Sequence, residues 1–286
     1  MSSSTDSSHH VSVDSGLRAA LIRRRRLTSD SLARITDTER RLGLPFCDAA
    51  LCLGLVSRDD IEAAQNGGHN AGLAKVMAQP DSRLSIVHDP YAVRSETVRA
   101  LRTELILRSQ SNAQANMIAI LSPCAGEGRS MLAAELAISF SQLGRATLLV
   151  DADLRSSRQH SLFAADNQCG LADAIVSGQP PCMLSVEGVQ HLSLLTSGES
   201  HSNPLELLSD ARFELLIEEW RRQFAYVVFD TGPVSLYSDG LAVAKSAGRV
   251  LALSRAGHTP YSDTRDLLRR LEATRSQILG AVINHF

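Results

Sequence analysis

The feature that most constrains the fold is a series of short, nearly uninterrupted apolar runs that alternate with longer stretches. Each run has the length of a strand, and a run without polar alternation is typical of a strand buried on both faces. Residues 128–143 carry apolar residues at helical spacing after the first run. The pattern predicts an α/β fold in which helices cover both faces of a parallel sheet. The predicted strands are residues 116–122, 145–153, 192–197, 226–230, 249–254 and 278–284.

Composition narrows the class of protein and the kind of partner. The chain has 286 residues, of which 44% are hydrophobic and 21% charged, as is usual for a globular protein. Its formal charge of -2 gives no general attraction to nucleic acid, so we expect no nucleic-acid partner. No apolar run approaches the roughly 20 residues that span a bilayer, and the polar N-terminus is unlike a signal peptide. We therefore expect a cytoplasmic protein.

Cysteine usage fits the same compartment. The five cysteines are an odd number and show no metal-ligand spacing, so we expect neither a disulfide framework nor a zinc site. They are Cys47, Cys52, Cys124, Cys169 and Cys182.

The sequence before the α/β region has a different pattern. Thr28 and Ser57 stand where helix N-caps would, with acidic residues in the turn that follows each. We predict four segments in order: a disordered tail (residues 1–16), a small helical module (17–65), a linker (66–90) and the α/β domain (91–286).

The stretch SPCAGEGRS lies between the first predicted strand and the following helix. Gly126 and Gly128 allow the backbone N–H groups to face phosphate oxygens, and the helix N-terminus adds its dipole. The strict phosphate-loop pattern G-x-x-x-x-G-K-[ST] fails at Pro123 and at Arg129, which replaces its lysine. Because arginine keeps a permanent charge and binds phosphate through two N–H groups, we expect binding to survive and transfer geometry to change. The alternative is a glycine-rich turn without a ligand.

Three aspartates follow two predicted strands: Asp151 and Asp153 in LLVDADLR, and Asp230 in YVVFDTGP. Ligands of an open parallel sheet bind beyond the carboxyl ends of its strands, so we expect these carboxylates to converge on the loop. Mg²⁺ and arginine would offset their mutual repulsion. The alternative is three unrelated turn or capping aspartates.

Residues 90–286 resemble the bacterial tyrosine kinases, cytoplasmic ATPases that work with exopolysaccharide chain-length determinants. GEGRS is similar to their Walker A loop, LLVDADLR to Walker A' and VVFDTGP to Walker B. The resemblance is to the stand-alone subgroup of exosortase-type loci, in which GEGRS is an accepted variant. DLRSSRQHSLF, GLADAIVSG, LLTSGESHSNPLELL and GAVINHF also follow the family pattern.

The resemblance implies an ATP-dependent protein-tyrosine kinase of the P-loop NTPase fold, which controls exopolysaccharide chain length, polymerisation or export. It implies Mg²⁺ as cofactor and a membrane chain-length determinant that recruits the chain to the inner membrane. Asp151 would act as base or orient water, and Asn284 would face the adenine. Ser130, Asp153 and Asp230 would hold the metal. The residues implied to hold the nucleotide are Gly126, Glu127, Gly128, Arg129, Ser130 and Met131, and those implied in catalysis are Arg129, Asp151, Asp153 and Asp230.

SETVRALRTEL carries the family's E-x-x-R-x-x-R spacing, which joins subunits into a ring in relatives and implies a homo-oligomer here. The spacing alone is more typical of a solvated helix face, and only the family resemblance favours an interface. The three residues are Glu96, Arg99 and Arg102.

The tyrosines of the chain depart from the family pattern. Family members commonly end in a tyrosine-rich tail, whereas the four tyrosines here are dispersed, so the resemblance supports ATP binding more strongly than tyrosine phosphorylation. One alternative is a nucleotide sensor without kinase activity. Another is a partitioning-type ATPase, although that class has a second lysine where Cys124 stands.

Residues 17–65 resemble the N-terminal domain of type II secretion ATPases, some of which bind cyclic di-GMP. Cys47 stands where the nucleotide-binding version has glycine, which favours a docking module over cyclic di-GMP binding.

Overall fold

The computed structural model describes residues 29–42, 46–55, 74–76, 80–108, 116–199 and 201–285. The chain divides into two compact units, residues 1–71 and 72–286. The first unit contains helices α1 (Ser29–Leu42) and α2 (Phe46–Cys52), which contact each other. Their core includes the fully buried Ile35 and Phe46.

Both helices lie within the predicted helical module. The predicted tail of residues 1–16 and the predicted N-caps Thr28 and Ser57 lie outside the described residues.

The second unit alternates strands and helices along the chain. Its strands are β1 (Ala74–Val76), β2 (Asn116–Leu121), β3 (Thr147–Asp151), β4 (Leu184–Val186), β5 (Leu192–Leu195), β6 (Tyr226–Asp230), β7 (Arg249–Arg255) and β8 (Gln277–Asn284). Its helices are α3 (Ser85–His88), α4 (Val93–Arg108), α5 (Arg129–Ser141), α6 (Gln159–Leu162), α7 (Leu171–Ser177), α8 (Pro204–Leu207), α9 (Ala211–Gln223), α10 (Asp239–Ala247) and α11 (Tyr261–Glu272).

The strands form one sheet in the order β1-β4-β5-β3-β6-β2-β7-β8. The six strands predicted from the apolar runs pair in parallel, and β3 and β2 lie on either side of β6. The sheet is mixed at one edge, because β4 runs antiparallel to β5 and pairs in parallel with β1. The order brings the carboxyl ends of β3, β6 and β2 together.

Helices pack on both faces of this sheet, and each strand serves both layers. In β2, Ile118 and Ile120 join a core with α5, whereas Met117, Ala119 and Leu121 join a core with α9 and α10. Such alternation explains why these strands are apolar without interruption. The predicted α/β architecture with two covered faces is confirmed.

The predicted linker of residues 66–90 needs correction in its second half. Leu84 and Ile86 are fully buried in the α5 layer. Ser85 donates a hydrogen bond of 3.1 Å to Glu135, a buried carboxylate of α5. This segment is too short to show apolar periodicity, and its burial depends on α5, which lies about fifty residues later in the sequence.

The expectation of no disulfide is wrong for one pair. Cys169 and Cys182 form a disulfide across α7, with their Cα atoms 6.0 Å apart. The two cysteines are 13 residues apart and only the fold brings them together.

None of the helices in the described parts of the chain is both long and apolar enough to cross a membrane.

The packing of the corrected segment can be tested with two Leu→Ala variants. We expect Leu84→Ala to lower the free energy of unfolding by about 2–5 kcal/mol, because it opens a cavity under α5. Leu107→Ala, at a site 57% exposed, should change it by less than about 0.5 kcal/mol. Urea denaturation of both variants measures the difference. Equal, small effects of both variants would contradict this packing and support a linker at residues 80–90.

Candidate functional site

The loop between β2 and α5 has the backbone of a phosphate-binding turn. Gly126 and Gly128 have φ angles of 73° and 98°, in the left-handed region that other residues avoid. Gly128 is the N-cap of α5, so the loop leads directly into the first turn of that helix. The unpaired N–H groups there favour an anion.

Glu127 shapes the loop from within. Its side chain is fully buried and accepts hydrogen bonds from the backbone N–H of Cys124, at 2.7 Å, and from the hydroxyl of Thr259. Asn284 donates to the backbone oxygen of Glu127 at 3.1 Å. Glu127 and Asn284 therefore connect the loop to the segment between β7 and α11 and to β8.

Arg129 also turns towards the loop. Its side chain is only 8% exposed, and its Nε donates to the backbone oxygen of Thr231 at 2.7 Å. Its Nη1 donates to the backbone oxygen of Cys124 at 2.6 Å and to the hydroxyl of Ser122. These bonds use Nε and Nη1. A phosphate would therefore bind to Nη2, or it would displace these oxygens from Nε and Nη1.

The predicted aspartates meet beside this loop. Asp151 and Asp230 are register partners on neighbouring strands, and both are fully buried. Asp151 accepts hydrogen bonds from the backbone N–H groups of Arg158 and Gln159, at 3.0 and 2.9 Å, where α6 begins. Asp153 is 7% exposed and accepts from the N–H of Ser156 at 3.0 Å. The structure thus brings together the strand ends that the sequence singled out.

Burial governs the charge of the carboxylate pair. It raises the pKa of Asp151 well above its usual range, and the charge of Asp230 adds to this effect. Burial also raises the pKa of Asp230 to about 6, although hydrogen bonds from Gln159 and Ser130 and the charge of Arg129 act in the opposite direction. Two adjacent buried carboxylates therefore resist simultaneous ionisation.

Gln159 is the site residue that sequence reasoning missed. Its side chain is fully buried, and its Nε2 donates both to Asp230 at 2.8 Å and to the backbone oxygen of Ser130 at 2.9 Å. It thereby joins β6 to the helix that carries the loop. The available signal was its position in DLRSSRQHSLF, directly after the Asp151 motif.

The last two loop residues have different surroundings. The hydroxyl of Ser130 contacts Asp230, which places it at the carboxylate pair. Met131 is half-buried and packs against the core on the α5 side of the sheet. Of these two side chains, Ser130 therefore lies where a ligand would be held.

No protein-family model matches the chain. The tyrosine-protein kinase YwqD of Bacillus subtilis (strain 168) is 34% identical to it over 198 residues, which cover 68% of this chain and 83% of YwqD.

The chain belongs to the bacterial tyrosine-protein kinase family.

Solved structures agree with this assignment. The chimerical protein CapA2B2 is 29% identical, with a TM-score of 0.66, and the match covers 77% of this chain and 97% of that one. The kinase domain of the Escherichia coli tyrosine kinase ETK is 28% identical, with a TM-score of 0.67, over 71% of this chain and 79% of that one. The P-loop fold and the kinase family predicted from the three motifs are confirmed.

In this tyrosine-kinase domain the predicted interface residues all lie on α4, with different surroundings. Glu96 and Arg99 form an ion pair of 2.5 Å on the surface. Arg102 instead turns inward and donates to the backbone oxygen of Ser139 at 2.7 Å. Its buried Nε has no hydrogen-bond partner within the described parts of the chain, and burial lowers the pKa of its guanidinium. Arg102 therefore joins α4 to α5 within one subunit.

The raised pKa of Asp230 predicts that the stability of the fold depends on pH. The folded protein keeps the Asp230 proton at higher pH than the unfolded chain, so this group stabilises the fold at low pH. Its contribution falls as the pH rises from about 4 to about 6. The carboxamide in Asp230→Asn does not ionise, so the variant avoids this loss of stability. We expect its free energy of unfolding at pH 7.5 to exceed that of wild type by about 3 kcal/mol.

Urea denaturation of the ligand-free protein in EDTA at pH 4.5 and 7.5 measures this effect. Asp266→Asn, at an exposed ion pair, is the control and should change stability by less than about 0.5 kcal/mol. Loss of stability in Asp230→Asn at pH 7.5 would contradict the burial argument.

Proposed function

We propose that this chain is an ATP-dependent protein-tyrosine kinase that regulates the chain length, polymerisation or export of an exopolysaccharide. The observation that carries the proposal is the meeting of the loop, Arg129 and the buried Asp151 and Asp230 at three adjacent strand ends. Phosphoryl transfer depends mainly on positioning and on stabilising charge, and these groups supply both.

The residues present fit a nucleotide with Mg²⁺. Asp230 Oδ1 is buried and has no hydrogen-bond partner among the described residues, as expected of an acceptor that holds a ligand. The described residues hold no cluster of three or more His, Cys, Asp or Glu side chains suited to a metal. Nucleotide-bound Mg²⁺ commonly takes only one or two protein carboxylates, however, and completes its shell with phosphate and water oxygens.

In the proposed site each side chain has a distinct task. Mg²⁺ with ATP would supply the phosphoryl group and neutralise its oxygens. Ser130, Asp153 and Asp230 would hold the metal, and Gln159 would keep Asp230 oriented. Asp151 would accept the proton of the attacking hydroxyl, because its raised pKa makes it a better proton acceptor near neutral pH.

Arg129 supports a second candidate function. Its guanidinium already binds the oxygens of Ser122, Cys124 and Thr231, so a phosphate must compete with these contacts. If the contacts persist with nucleotide bound, the arginine does not reach the transferred group. The chain would then be a nucleotide sensor that binds ATP without phosphorylating tyrosine.

The proposed partners are a membrane chain-length determinant, which recruits the chain to the inner membrane, and further copies of this chain. Glu96, whose side chain is 62% exposed, and its ion-pair partner Arg99 form the accessible part of the α4 motif. Cyclic di-GMP binding by the helical module stays a prediction, because much of residues 17–65 lies outside the described chain.

Arginine variants separate the two candidate functions. We expect wild type to transfer label from radiolabelled Mg-ATP to tyrosine, and Arg129→Ala to reduce transfer at least about 100-fold, because a charge at the transferred group is lost. Arg129→Lys, which restores the lysine of the strict loop pattern but leaves Pro123 in place of its first glycine, should retain transfer.

The assay follows phosphotyrosine and free phosphate, with and without the cytoplasmic segment of the chain-length determinant. Saturable ATP binding without phosphotyrosine under either condition would establish the sensor and rule out the kinase.

The role of Asp151 is tested by Asp151→Asn. We expect phosphotyrosine formation to fall about 10²–10⁴-fold, because the proton acceptor is lost. ATP affinity, measured by calorimetry, should change less than about threefold, because the carboxamide keeps an oxygen for the N–H groups of α6. Asp166→Asn, in an exposed turn, is the matched control. Unchanged turnover in Asp151→Asn would remove this residue from the mechanism.

A further inference from the structure

Tyr237 lies in the segment between Asp230 at the end of β6 and helix α10. Its side chain is 42% exposed, and the guanidinium of Arg155 lies over its ring, 4.0 Å from the ring centroid. The same guanidinium forms an ion pair of 2.5 Å with Asp239, the first residue of α10. A tyrosine at the surface thus has a fixed arginine against its ring.

A second arginine approaches the same segment from α11. Arg270 donates to the backbone oxygen of Val234 at 2.5 Å and to the hydroxyl of Ser238 at 3.1 Å. Arg155 and Arg270 therefore flank the residues around Tyr237 from two different elements. Pairs of arginines that can each offer several N–H groups are the usual receptors for a phosphate on tyrosine.

The segment is also tied to the candidate active site. The N–H groups of Val234 and Ser235 donate to the backbone oxygens of Ser122 and Pro123, at 3.1 and 2.9 Å, where the phosphate loop begins. On the other side, the backbone N–H of Arg155 donates to Asp153 at 3.3 Å. The segment that carries Tyr237 thus contacts the phosphate loop directly. Arg155, which covers the Tyr237 ring, contacts the proposed metal ligand Asp153.

We propose that Tyr237 is a phosphorylation site of this chain and that Arg155 and Arg270 hold its phosphate. The proposal rests on the proposed kinase function, which supplies ATP as the donor. The phenolic oxygen bonds to the γ-phosphorus, the bond from that phosphorus to the bridging oxygen breaks, and ADP leaves. The phenolic proton passes to the carboxylate base of the subunit that acts as the enzyme.

Phosphorylation would reorganise the cluster around Arg155. A phosphate adds a charge of about -1.5 to -2 at neutral pH and competes with Asp239 for the guanidinium. When Arg155 turns to the phosphate, Asp239 stays in the first turn of α10, where the helix dipole favours a carboxylate. The exchange reorients the side chain of Arg155, a residue whose backbone N–H binds Asp153.

The other tyrosines have different surroundings. Tyr226 is half-buried and stacked on Phe140, with ring centroids 4.2 Å apart. Tyr91 and Tyr261 are 91% and 79% exposed, and Asp263 lies in the same first turn of α11 as Tyr261. Exposure alone would favour Tyr91 or Tyr261, whereas the flanking arginines favour Tyr237. Tyr261→Phe is therefore the matched control for Tyr237→Phe.

The test incubates the full chain with radiolabelled Mg-ATP and locates the phosphate by peptide fragmentation, which separates Tyr237 from Tyr226 within tryptic residues 223–245. We expect the label on Tyr237, a loss of at least tenfold in Tyr237→Phe, and a change of less than twofold in Tyr261→Phe. Both variants should phosphorylate a soluble Glu-Tyr copolymer at the wild-type rate. Labelled copolymer without label on Tyr237 would overturn this proposal and leave the kinase function standing, whereas label on neither would overturn both.

A second measurement tests the arginines. With an added tyrosine phosphatase, we expect the Tyr237 phosphate to be removed at least threefold faster in Arg270→Gln than in wild type. Arg269→Gln, which alters only an exposed ion pair on the same helix, should match wild type. Equal rates in all three proteins, with unchanged melting temperatures, would overturn the assignment of Arg270 to the phosphate.

Discussion

The structure depends on one electrostatic constraint, the burial of Asp151 and Asp230 side by side at the centre of the sheet. Two carboxylates out of water repel each other and lose hydration, which is why the pKa values of both are raised. The surrounding groups offset part of this cost: backbone N–H groups at the start of α6, the amide of Gln159 and the charge of Arg129. A bound cation with phosphate would offset more of it, so the same constraint that destabilises the ligand-free site favours its ligand.

The phosphate loop is held in shape by its own chain before any ligand arrives. Glu127 ties the start of the loop to Thr259, Asn284 binds the loop backbone, and Arg129 reaches from the loop to Thr231 after β6. A nucleotide that binds here would therefore replace hydrogen bonds within the chain, and the loop would not need to become ordered. In a kinase, Arg129 leaves its protein oxygens and binds the transferred phosphate. In a sensor, it keeps them.

Local patterns predicted much of the site. The loop glycines, the strand-end aspartates and the family motifs are each readable within a few residues, and their convergence follows from the rule that strand ends share one edge. Gln159 was missed because its partners, Ser130 and Asp230, lie 29 and 71 residues away. The linker prediction failed for the same reason, since Leu84 and Ile86 are buried by a helix that follows much later.

The sequence by itself determined the fold class, the six parallel strands, the loop glycines and the aspartates at the strand ends. These properties are local, because a strand buried on both faces and a glycine turn before a helix each leave a pattern in consecutive residues. Only the tertiary structure decided what those side chains do: Glu127 shapes the loop, Met131 packs in the core, Arg102 joins two helices, and Arg155 covers Tyr237. The reason is that a side chain's partner depends on which distant segment the sheet order places beside it.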